Sequence, residues 1–106
     1  MTDRELLEAA AKAVGYEVTW DEKLGDFTEK KWFSYTWNPL TSDEDAFRLM
    51  VDCTVVVCVM SESVNAAAAD VELKEIKETC VELFKDHNND KHAATRRAIV
   101  RAAAGE

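Results

Sequence analysis

Glycine and proline are scarce, with three glycines and one proline in 106 residues. Gly15, Gly25 and Gly105 stand alone, so the chain has little material for flexible loops and no glycine-rich loop to cradle a phosphate. Histidine is scarcer still, at two. His87 and His92 lie far in sequence from Cys53 and Cys58, so a cysteine nucleophile served by a histidine base is not expected. The cysteines, Cys53, Cys58 and Cys80, are odd in number and have no zinc-like spacing. Reduced thiols are expected rather than a disulfide framework, with Cys58 buried as a small apolar residue. No apolar run approaches the ~20 residues needed to cross a bilayer. The opening Met1-Thr2-Asp3-Arg4-Glu5 lacks the basic and apolar regions of a signal peptide, so a cytoplasmic protein without membrane contact is expected.

Basic residues are the remaining deficit. Lysine and arginine number 13 against 21 acids, a net charge of −8, which disfavours direct nucleic-acid binding. The exception is residues 91–106, where Lys91, Arg96, Arg97 and Arg101 face only Glu106. Two readings stay open. Arginines in the later turns of a helix complement its dipole and pair with nearby acids. Alternatively, Arg96, Arg97 and Arg101 form an anion site for a nucleotide or small phosphate ligand, with Arg97 and Arg101 sharing a face and Arg96 about 100° away.

What is present suffices for one α+β domain over residues 1–106. Apolar residues make up 47 %, of which 15 are alanine, enough larger side chains for a single core. Thr2 and Glu5 form a capping-box pattern before a helix over 3–14, with Leu6, Leu7, Ala10, Ala13 and Val14 at helical spacing and Gly15 as its stop. Tyr16, Val18 and Trp20 alternate like a strand, a turn surrounds Gly25, and a second strand spans about 30–37. There Phe33, Tyr35 and Trp37 share one face and Trp32 takes the other. Asn38-Pro39 ends it. Thr41 and Glu44 suggest a second capping box, followed by a helix over 42–52 with a stripe of Ala46, Phe47, Met50 and Val51. Thr54–Met60, apolar on both faces, reads as the central strand of an antiparallel sheet. Residues 61–85 fit either a helix or strands, and strands following a hairpin at Ser61-Glu62-Ser63 are preferred. A last helix spans 91–104, from an Asp90 cap to Gly105. The expectation is an antiparallel sheet packed by about three helices.

Three segments carry a resemblance. Trp37-Asn38-Pro39-Leu40 with Asp45-Ala46-Phe47-Arg48-Leu49, then the run Ala93–Ala104, and the opening Thr2–Leu7 with Ala9–Val14, resemble the small bacteriophage proteins of the phage ABA sandwich domain family. The resemblance covers roughly half of the chain and is most specific in its C-terminal segment. It implies a phage or prophage origin and a layered α+β fold, and it implies no catalytic residues.

Asp86, Asn88 and Asp90 have the spacing that opens a calcium loop, yet Lys91 stands where the loop needs glycine and Arg97 where it needs a bidentate glutamate. No metal site, cofactor or catalytic set is expected. Trp32, if uncovered, would be an interface anchor beside Glu29, and Asp43, Glu44 and Asp45 would add an acidic docking surface for a host protein. The leading expectation is a non-enzymatic phage accessory protein that binds a host protein or complex, for example to inhibit host defence. A nucleotide-binding module and a self-associating assembly protein, with a homodimer as one form, are the alternatives.

Overall fold

Side-chain caps set where the helices start. In the computed structural model, which describes residues 1–30, 34–70 and 75–106, helix α1 runs Asp3–Val14. The Thr2 hydroxyl accepts from the Glu5 N–H at 3.2 Å, and the Glu5 carboxylate accepts from the Thr2 N–H at 3.2 Å. Gly15, at φ 83°, supplies the left-handed residue that closes the helix. Helix α2 is Asp43–Asp52, and its cap is Ser42 rather than Thr41, because the Ser42 hydroxyl accepts from the Asp45 N–H at 3.2 Å. Asp90 caps α3, Lys91–Ala104, by accepting from the Ala93 N–H at 3.0 Å. That bond lowers the Asp90 carboxyl pKa below its ordinary value.

The strands form two antiparallel sheets instead of one. The first is a meander of β1 (Val18–Asp21), β2 (Asp26–Lys30) and β3 (Ser34–Trp37). Strand β2 falls where the sequence suggests only a turn. The Asp21 carboxylate accepts from the N–H groups of Lys23 (2.9 Å) and Leu24 (3.2 Å), which confines the reversal to a few residues and frees Phe27 to pair with both Trp20 and Trp37.

The second sheet contains β4 (Val55–Val59), β5 (Ser63–Asp70), β6 (Glu75–Ile76) and β7 (Cys80–Leu83). The strand preference for 61–85 holds, including the hairpin, where the Met60 N–H donates to Ser63 O at 2.8 Å. The centre of this sheet is β5, with β4 on one side and β6 and β7 on the other. This corrects the expectation for β4, which is an edge strand with only one face covered. Val55 is buried, while Val56 is 52 % exposed and Cys58 is exposed rather than buried.

Helix α3 lies between the two halves and serves both. Its Ile99, Val100 and Ala103 join Leu6, Leu7, Ala10, Ala46, Leu49, Phe27 and Trp37 in one apolar cluster. Its Ala94, Ala98 and Ala102 join Val55, Val64, Ala66, Cys80 and Phe84 in the other. Alanines on both surfaces let the α3 backbone approach β5 closely, so the small side chains of Ala66 and Ala68 on this strand's inner face have a packing reason. The Cα radius of gyration is 13.5 Å, close to that of a compact chain of this length. Among the described residues, no helix is long and apolar enough to cross a membrane.

Candidate functional site

The acidic and basic residues marked in the sequence are largely engaged with one another. Glu29 is 2 % exposed, which corrects its reading as a surface docking residue. It points from β2 toward α2, where Arg48 grips both carboxylate oxygens at 2.6 and 2.5 Å. The Arg48 guanidinium also lies 4.2 Å from the centre of the Tyr16 ring, and the Tyr16 hydroxyl donates to Asp52. Burial, together with that hydrogen bond, raises the Tyr16 pKa well above the usual phenol value. This buried polar cluster fastens the first sheet to α2.

Asp45 holds the Asn38-Pro39 turn by accepting from the Asn38 N–H at 2.9 Å, and partial burial raises its carboxyl pKa. Asp43 takes Arg96 at 2.7 Å and stands 3.7 Å from His92. Glu44 stays exposed. Trp32 and Phe33 lie outside the described residues. The proposed acidic surface therefore reduces, among the described residues, to Glu44 and the partly engaged Asp43.

The arginines of α3 do not converge on one anion. Arg96 bonds Asp43 and Leu40 O, Arg97 bonds Asp3 at 2.9 Å, and Arg101 bonds Glu82 and Val81 O. Each reaches a different element, so the helix is pinned to α1, to α2 and to β7, in line with the pairing alternative. Glu82 also meets His87 Nε2 at 2.7 Å, which makes His87 a partly buried structural residue rather than a solvated loop histidine. Among the described residues, no three or more His, Cys, Asp or Glu side chains are arranged to hold a metal ion.

A different site emerges from apolar residues expected in the core. In α2 the buried face is Ala46 and Leu49, backed by Met50 and Cys53. Phe47 and Val51 lie to one side of that stripe and are 63 % and 56 % exposed, which corrects their assignment to it. Phe47 stands at the edge of an open cleft of about 540 Å3 between α2, α3 and the end of β4. Ala46, Met50, Val59 and Ile99 contribute apolar surface to the cleft, and Lys91, His92 and Arg96 line its α3 side. No family model, curated protein or solved structure matches the chain. The cleft is thus read from its own chemistry, which is apolar surface beside the exposed Lys91 and His92 and the Arg96–Asp43 ion pair. The signal for it lay in the sequence: apolar residues at 46, 47, 49, 50 and 51 span an arc too wide for one buried stripe on a ten-residue helix.

Proposed function

We propose that the chain is a non-enzymatic binding protein, a phage or prophage accessory protein that docks on a host protein in the cytoplasm, with inhibition of a host defence system as its role. The resemblance of residues 37–40, 45–49 and 93–104 to phage ABA sandwich proteins supports the origin. The observation that carries the docking is Phe47, a large aromatic side chain held 63 % exposed beside the α2–α3 cleft. Aromatic anchors of this kind dominate protein interfaces. Lys91 and His92 are exposed on the cleft's α3 side, so the occupant that fits is a partner segment presenting apolar side chains flanked by carboxylates.

The test starts with partners captured from host lysate and is decided by calorimetry between the purified chain and the purified partner. Phe47→Glu should weaken binding at least tenfold, Lys91→Glu should weaken it and reduce its salt dependence, and Glu44→Lys should change it little. A complex that tolerates Phe47→Glu but is lost on Glu44→Lys would move the site to the acidic surface and overturn the assignment of the cleft.

A further inference from the structure

The pairing register assigns every side chain of the second sheet to one of two faces. Val55, Val57, Val64, Ala66, Ala68 and Cys80 face α3. The opposite face carries Val56 and Cys58 from β4, Asn65 and Ala67 from β5, Ile76 from β6, and Val81 and Leu83 from β7. Ile76 is 67 % exposed, Val81 48 % and Leu83 39 %. No helix packs on this face among the described residues, since α1, α2 and α3 all belong to the two clusters on the other side.

We propose that this outer face is a self-association surface on which a second copy of the chain packs sheet against sheet. Three observations select a second copy as the occupant. The first is charge. Each copy carries −8, so two copies repel least where they meet on a face without charge, and the paired positions of this face hold no Asp, Glu, Lys, Arg or His.

The second is area. The exposed apolar residues of the face present roughly 400 Å2 per copy, so a symmetric pair buries about 800 Å2, the size of a weak, reversible contact rather than of a permanent dimer. The third is relief. The small side chain of Ala67 floors a depression of about 190 Å3 bounded by Val56, Cys58 and Ile76. A surface with an apolar ridge beside a hollow can meet its own copy about a two-fold axis, each ridge in the other's hollow.

The expected dimer is modest, with dissociation in the micromolar range, and it tightens as salt screens the two net charges. Light scattering on the purified full chain from 5 to 500 µM, concentrations chosen as about tenfold steps around that range, should show the mass rise toward two chains. Alkylation of Cys58 by a maleimide, in a Cys53→Ser, Cys80→Ser background whose fold is checked by circular dichroism, should slow over the same range. Val81→Glu, and independently Val56→Glu, should hold the chain monomeric and keep Cys58 fully reactive. Phe47→Glu should leave the dimer intact, which separates this surface from the α2–α3 cleft. A monomer at every concentration, a Cys58 rate independent of concentration, or a dimer that persists in both glutamate variants would each overturn the proposal.

Discussion

Replacing Arg48 by methionine should cost the fold about 3 kcal/mol. The guanidinium grips both oxygens of Glu29, a residue only 2 % exposed, and stacks on Tyr16 at 4.2 Å. Removing one partner of a buried ion pair costs about 3–5 kcal/mol, because a desolvated carboxylate loses its bidentate counter-charge. The Arg48 side chain is 24 % exposed, which places this pair at the lower end. The lost cation–π contact adds about 0.5–1 kcal/mol, and the methionine stem gives some of that back by covering the same apolar surface. Domains of this size are stable by roughly 5–15 kcal/mol, so the variant should still fold. Urea unfolding followed by tryptophan fluorescence reports on Trp20 and Trp37 in the affected half, and the midpoint should fall by about 1–3 M. Adding Glu29→Gln removes the buried charge that Arg48 neutralises, so the double variant should recover part of the loss. A single-variant cost under about 1 kcal/mol, or no recovery in the double variant, would refute the view of this cluster as a buried electrostatic clasp.

Thr54 joins α2 to β4 at φ 52°, a left-handed conformation that penalises a β-branched residue, while its carbonyl accepts from the Ala69 N–H at 2.9 Å. Thr54→Gly should therefore stabilise the protein by about 1 kcal/mol in the same urea assay, and a loss would show that the threonine side chain matters more than the strain. Stability should also fall at alkaline pH. Burial raises the pKa values of Cys53 and Cys80 above the ordinary 9.0, and burial with the Asp52 hydrogen bond raises that of Tyr16 above 10.0. The folded state thus keeps protons that the unfolded state releases, so their contribution is complete below pH 9 and is lost as pH rises beyond it. Tyr16→Phe should flatten this decline above pH 10, and unfolding curves with an unchanged slope would contradict it.

Helices α1 and α3 were legible because each announces itself locally with a cap, a stripe of apolar residues and a stop, whereas α2 was legible in place but not in its cap or in half of its stripe. Asp90 and Gly105 frame α3 in the sequence as they do in the structure, and Thr2 with Glu5 does the same for α1. The sheets were legible in most of their strands, β2 excepted, but not in arrangement. Val55–Val59 has the composition of a buried central strand, yet which strand is central depends on partners distant in sequence, and β5 takes that place through its alanines. Charge was legible in total and not in pairing. That Glu29 is buried follows from Arg48, nineteen positions away on another element, and no local pattern links them. The apolar surplus on α2 and β4 was visible in the sequence, and its exposure became evident only once the buried stripe of each element was known.

The placement of α3 between both clusters also bears on how the chain is made. This helix follows, among the described residues, seven strands and two other helices in chain order, and it supplies side chains to each apolar cluster. During synthesis from the N-terminus, neither half can close until residues 94–103 have left the ribosome. At ordinary elongation rates, the valines of β4 wait roughly 2–10 s for the helix that covers them. For that interval the nascent chain presents the inner face of the second sheet bare, and a chaperone that holds β4 until the alanines of α3 arrive would meet the chain at its most vulnerable stage.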